Sequence, residues 1–191
     1  MKFCLCMSNV EGKATAITVM SPIWPGARHL LRALFAIARH PVGKRGQGKL
    51  ETLSFIHYAR WAVISEFPNG DRGEKLKYSY LFFESNFNGT WDEYIDAFSE
   101  VVPVRMWAIW FTSFGFPGPQ PVAPFKRYIR KNEYIANHYW SAYPEAATTE
   151  VNSAGRVAEA VTALRRKAEG MDRESFKKAY DEMLMSIQHD F

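Results

Sequence analysis

The chain has 191 residues, 47% hydrophobic, 23% charged and 15% aromatic, with a formal net charge of +4. Such a chain makes one domain, or a domain with an appendage, and it can bury a core; disorder along its whole length is excluded, and the charge is too small to argue for nucleic acid by itself. Six Trp, nine Tyr and fourteen Phe predict broad apolar walls in a pocket or at an interface.

The first seven residues form a short apolar run behind Lys2. Ser8 and Asn9 end it before signal-peptide length. Its Cys4 and Cys6 are the only cysteines. They stand too close together for an ordinary disulfide, so a reducing, cytoplasmic setting is expected. They read as small apolar residues of a first strand or end rather than as metal ligands. Residues 14–20 are rich in β-branched side chains and predict a strand. After Pro25 and Gly26, residues 27–39 follow helical spacing, with Leu30, Leu31, Leu34, Phe35 and Ala38 on one face. Pro41 and Gly43 close that helix, and a basic loop at 44–49 follows.

Residues 53–67 and 78–85 read as two strands joined across the Pro68, Asn69 and Gly70 turn. Thr90 and Glu93 make a capping-box pattern for a helix with Trp91, Tyr94, Ile95, Phe98 and Val102 along one side. Pro103 is expected to break that helix and 104–112 to be a strand. The uncharged stretch 106–125 is long enough to cross a bilayer. Its Pro117, Pro119, Pro121 and Pro124 cannot sustain a membrane helix, and no span is expected. A short basic helix at 125–132, a strand at 138–143 and two amphipathic helices at 148–169 and 173–188 complete the chain.

The strands and helices up to residue 112 fall in the order βαββαβ. This predicts an α+β fold with a ferredoxin-like antiparallel sheet at 1–145, and a helical C-terminal extension at 146–191 packed on the same domain. One face of such a sheet is left uncovered, so a homodimer of the dimeric α+β barrel type is expected to close it.

Three segments together carry a family resemblance. They are Ser54-Phe55-Ile56-His57-Tyr58-Ala59-Arg60-Trp61, then Phe82-Phe83-Glu84-Ser85-Asn86-Phe87-Asn88-Gly89-Thr90-Trp91-Asp92-Glu93-Tyr94, and finally Phe125-Lys126-Arg127-Tyr128-Ile129-Arg130 with Tyr139-Trp140-Ser141-Ala142-Tyr143-Pro144. Over about residues 14–160 the chain resembles bacterial proteins of unassigned function that are similar to the dye-decolourising peroxidase-like, dimeric α+β barrel superfamily. The resemblance implies the same ferredoxin-like fold and, as its chemistry, oxidative or hydroperoxide reactions at haem. In the peroxidases a Gly-x-x-Asp-Gly motif supplies an acid–base carboxylate; the nearest stretch here ends Asn88-Gly89. An amide cannot take up and return a proton as a carboxylate does.

Several side chains are candidates for chemistry. His57 reads as a haem ligand, a general base or a hydrogen-bonded strand histidine. Period-two alternation places it opposite Arg60, and only a bulge brings the two together. Arg60 shares a face with Tyr58 and reads equally as an anion clamp or an edge ion pair. Asn86 and Asn88 either bond the backbone of their turn or orient a substrate. His138 is a second ligand or a surface histidine. Arg127 and Arg130, with Lys126 and Lys131, make a basic cluster for a carboxylate, a phosphate or haem propionates, or a solvated face. Tyr58 and Tyr139 are hydrogen-bond donors to a ligand.

The leading reading is a protein with an aromatic cavity for an apolar small molecule, with haem as the cofactor to test. His57, Arg60, Tyr58, Asn86 and Asn88 form its catalytic set, and His57, His138, Arg130, Arg127 and Tyr139 its cofactor set. The alternative is a non-catalytic module that meets a membrane surface or protein partner through its basic helices, Arg28, Arg32, Arg39, Lys44 and Arg45 among them. No phosphate-binding glycine loop, nucleophile elbow, metal-spaced Cys/His set or RNA-recognition motif is present.

Overall fold

Alternating burial along residues 17–23 sets the frame of the fold. Ile17, Val19, Ser21 and Ile23 are fully buried on one face of the strand, while Thr18, Met20 and Pro22 are only half-buried on the other. A computed structural model describes residues 9–40, 53–67 and 73–190 of the chain. Cys4 and Cys6, the basic loop at 44–49 and the turn at 68–71 lie outside the described residues.

The chain divides into two compact units, Met1–Glu145 and Ala146–Phe191. The first is α+β. Its antiparallel sheet contains β1 (Val10–Glu11), β2 (Ala14–Ile23), β3 (Ile56–Phe67) and β4 (Glu74–Asn88), in the spatial order β1-β2-β4-β3. β4 is central and pairs in full with β2, from Ala14 opposite Asn88 to Ile23 opposite Ser79. β2 and β3 both run antiparallel to β4. They are therefore parallel to each other, and the helix between them, α1 (Ala27–Arg39), is the crossover.

Three more helices complete this unit: α2 (Trp91–Val101), α3 (Pro103–Trp110) and α4 (Val122–Asn132). All four helices contribute to one apolar core against the inner face of the sheet. Its centre is aromatic. Phe87 stacks on Tyr94 at 3.9 Å, and Phe83 lies between Trp61 and Trp110 at 5.2 and 5.3 Å. The space left among these rings is about 10 Å³, at most the room for a single water. The interior aromatics are thus packed against one another.

The cap of α2 forms as its sequence dictates. Thr90 Oγ1 accepts the Glu93 amide at 3.3 Å, and Glu93 Oε2 accepts the Thr90 amide at 3.0 Å. These bonds to Thr90 hold the Glu93 carboxyl below its ordinary pKa.

Two expected strands are not found. Residues 104–112 are mostly helical, not extended. Pro103 occupies the first turn of α3, where the missing N–H costs nothing and the fixed φ favours the helix. Val102, Met106 and Trp110 are all buried at a spacing of four, a helical repeat. Trp107 and Phe111 stack at 4.8 Å on another side. The second correction concerns 138–143, which has no ladder. Its neighbourhood is held by separate bonds instead. The Ala136 amide donates to Asn9 Oδ1 at 2.8 Å, the Ser141 amide donates to Glu11 Oε2, and the Lys13 amide donates to the Pro144 carbonyl at 2.7 Å. The free edge of β2 beyond β1 is met by two isolated bridges, Val19 with Glu133 and Ile23 with Ser113.

The second unit holds α5 (Thr148–Lys167) and α6 (Arg173–Ile187), then a 3-10 turn at Gln188–Asp190. Asp190 accepts from Ser153 and Arg156, which ties that turn to α5 and lowers the Asp190 pKa. No helix among the described residues is long and apolar enough to cross a membrane.

Candidate functional site

The face of the sheet away from the helices is built by the alternate residues of three strands. Register places Thr18, Glu84 and Arg60 in one row, Ala16, Asn86 and Tyr58 in the next, and Met20, Phe82 and Ala62 on the other side. This outer face therefore carries an apolar row beside two polar ones.

A bulge shapes the polar end. Ile56 pairs with Phe87 and Tyr58 with Asn86, so His57 is the extra residue. Ile56 packs on the core while His57 and Tyr58 are exposed. The buried Ser85 hydroxyl donates to the Tyr58 carbonyl at 2.8 Å and pins the bulge. The irregularity needed to relax strict alternation at His57 is thus present.

Arg60 and Glu84 form a cross-strand ion pair, Nε to Oε2 at 2.7 Å. The Arg60 guanidinium also lies over the Phe82 ring at 5.5 Å. The Tyr58 hydroxyl donates to Glu84 Oε1 at 3.3 Å. Partial burial, the Glu84 charge and this bond together raise the Tyr58 pKa, against the pull of Arg60. Tyr139 lies near enough to add to that rise. Its own pKa is raised by burial and then by Glu11. Two polar atoms at this end are buried and have no hydrogen-bond partner among the described residues: Asn86 Oδ1 and the Tyr139 hydroxyl. Leaving such a group unpaired costs on the order of 1–3 kcal/mol, and a ligand that pairs it recovers part of that.

The structure brings together Tyr58, Arg60, Asn86 and Tyr139, with His57 at the adjoining bulge. It adds Glu84, which the sequence reading did not single out. The signal was there: a lone carboxylate in the otherwise aromatic run Phe82-Phe83-Glu84. Asn88 stands apart, its amide donating to the Lys13 carbonyl at 3.1 Å.

The basic cluster at 126–131 lies on α4, whose buried side packs on the inner, helical face of the sheet. Lys126 is paired with Asp92 and Asp96 of α2 at 2.9 and 2.8 Å, which raises its pKa, through the Asp96 bond first. Arg130 lies 3.6 Å from the Trp91 ring centre and pairs with Glu133 at 3.1 Å. Arg127 and His138 are exposed. Arg130 is thus engaged by Trp91 and Glu133 rather than by His57 or Tyr139. No group of three or more His, Cys, Asp or Glu among the described residues is placed to hold a metal ion.

Of the basic and apolar faces of α1, Ala27 and Leu31 enter the core, whereas Leu30 and Ile37 are exposed, as are Arg28, Arg32 and Arg39. The aromatics Trp107, Trp110, Phe114 and Phe116 also divide. Trp110 is core, Phe116 packs against the core through Phe125 and Tyr128, and Trp107 and Phe114 are exposed.

No protein-family model matches the chain, and neither a curated protein nor a solved structure matches it.

Proposed function

We propose that this protein binds an apolar small molecule on the outer face of its sheet, with a hydroxyl or amide end of the ligand at Asn86 and Tyr139. One observation carries the reading: among the described residues Asn86 Oδ1 has no donor and the Tyr139 hydroxyl no partner, both buried, with Asn86 opposite Tyr58 in the register and Tyr139 near Tyr58. A group that both donates and accepts satisfies the two atoms at once. The row of Met20, Phe82 and Ala62 offers the adjoining apolar surface.

The arrangement β2-α1-β3 with β4 inserted between the two strands is that of a split βαβ unit. It supports a ferredoxin-like reading of the fold, in which a second copy of the chain closes the open face. His57 and Tyr58, both exposed, stand at the edge of the site where substrate chemistry would take place.

The test is a thermal-shift titration with a long-chain alcohol, the matching amide, the alkane of equal length, and haem. The alcohol or amide raises the melting temperature and the alkane does not, and this difference disappears in Asn86→Ala and Tyr139→Phe. Equal shifts for all three chains, or shifts unchanged in both variants, overturn the reading. A Soret band that appears on haem addition and is lost in His57→Ala replaces the ligand with haem.

A further inference from the structure

A second concavity lies away from the outer-face cluster. It is a cleft of about 250 Å³ between the first turn of α1 and the facing ends of β3 and β4. Arg28, Lys75 and Lys77 line it, with Ser65 and Tyr78 between them. Among the described residues Glu66 is the single carboxylate of the lining, and it stands opposite Lys75 in the strand register. Two cations are thus in excess of the one acid.

We propose that this cleft binds a phosphate-bearing ligand. Three observations converge. First, Arg28, Lys75 and Lys77 are exposed, and none is in an ion pair among the described residues. Like charges gathered in a concavity repel one another, and they focus their field on an incoming anion. Second, Arg28 places a cation in the first turn of α1, which contains no acidic residue and has no side-chain cap at Gly26. That is the reverse of what a helix N-terminus favours, and an anion seated there relieves it. Third, the cations come from two elements that both line the space, Arg28 from α1 and Lys75 and Lys77 from β4. Arg28 donates its Nε–H to His29 at 3.1 Å, and its terminal nitrogens have no partner among the described residues. A tetrahedral dianion can draw on all three cations, whereas a carboxylate is served by a single guanidinium fork.

Exposed aromatics flank the cleft. Trp24 precedes Pro25 of the lining, and Phe114 meets Tyr78 edge-on at 6.2 Å. Such a rim suits a phosphate carried on a lipid as well as one on a soluble molecule, and the experiment separates these sources.

Inorganic phosphate is titrated into the full chain at constant ionic strength, with binding read from the melting temperature. Co-sedimentation with phosphatidylcholine vesicles, with and without phosphatidic acid, is run beside it. The Arg28→Gln/Lys77→Gln double variant is compared with an Arg165→Gln/Arg166→Gln variant of equal charge loss, and each is first shown to unfold cooperatively. Saturable stabilisation by phosphate, weakened at least tenfold in the cleft variant alone, establishes a site for soluble phosphates. Binding confined to phosphatidic acid vesicles and weakened in the cleft variant alone establishes a lipid headgroup as the source. No binding in either arm, or equal weakening in both variants, overturns the proposal. Arg60→Ala, on the outer face, leaves phosphate binding unchanged, so failure of this site and failure of the outer-face reading are told apart.

Discussion

Arg60 of β3 and Glu84 of β4 face each other in the strand register and close an ion pair of 2.7 Å on the sheet face opposite the helices. The pair is exposed on its Arg60 side, so its direct contribution to stability is small, about 0.2–1 kcal/mol. Its consequence is positional: Glu84 also accepts from Tyr58, and the three side chains form one cluster beside Asn86 and Tyr139.

Arg60→Ala is accordingly expected to lower unfolding stability by less than about 1 kcal/mol while weakening ligand binding at the outer face by more than that loss implies. Urea denaturation and the thermal-shift titration, run on the same preparation, measure the two effects. A large loss of stability with unaltered binding would assign the pair a purely structural role.

The raised pKa of Tyr58 has a definite sign. Because the folded chain keeps this proton longer than the unfolded chain, the associated stability is full below the ordinary tyrosine pKa and is lost as pH rises through the higher folded value. In an alkaline titration followed by tyrosinate absorbance, Tyr58→Phe removes a late-ionising group. Glu84→Gln makes that group ionise earlier, since it removes the neighbouring negative charge and leaves only a neutral amide oxygen as acceptor.

The helical course of α3 is tested by Val104 and Met106, which a strand would place on one face. In the structure Val104 is 77% exposed and Met106 is 3% exposed. Met106→Ala should cost about 2–5 kcal/mol, and Val104→Asp should stay within about 0.5 kcal/mol of the parent chain. Equal, large losses in denaturation would return the segment to an extended conformation.

At the start of α2, Thr90→Ala removes the acceptor of the Glu93 amide and should cost about 1 kcal/mol. Thr90→Ser should restore most of it. Denaturation curves of the three chains decide the matter, and an unchanged midpoint in Thr90→Ala would deny the cap its role.

Much of the first unit was legible from local patterns. Helix α1 spans residues 27–39 as its periodicity predicts, and Thr90 and Glu93 form the predicted capping box; the three strands are found where expected, but β2 and β4 run beyond 14–20 and 78–85, and β3 begins at Ile56 rather than 53. The misreading at 104–112 came from treating Pro103 as a breaker, whereas a proline at the first helical position starts a helix. Segment 138–143 looks strand-like in composition, but Asn9 and Glu11 hold its neighbourhood through side chains more than 120 residues earlier in the chain, a tertiary effect that no local pattern contains.

The candidate site was half legible. Tyr58 and Arg60 follow from residue type and alternation, whereas Asn86 and Asn88, expected in a turn, lie in β4, and Tyr139, expected in a strand, lies in a segment without a ladder. The bulge at His57 depends on the β3–β4 register, and so does the partnership of Arg60 with Glu84. The basic cluster of α4 was readable as a cluster, yet Lys126 and Arg130 are engaged by Asp92, Asp96, Trp91 and Glu133. Those contacts arise from the packing of α4 against α2.

Native mass spectrometry of the purified full chain tests the outer-face site most directly, with Asn86→Ala and Tyr139→Phe measured alongside. The expected result is a small-molecule adduct on the parent chain that is extracted into organic solvent and is absent or depleted in both variants. A parent chain at its bare sequence mass that also takes up neither the long-chain alcohol nor the amide would contradict it, as would an adduct retained equally by both variants.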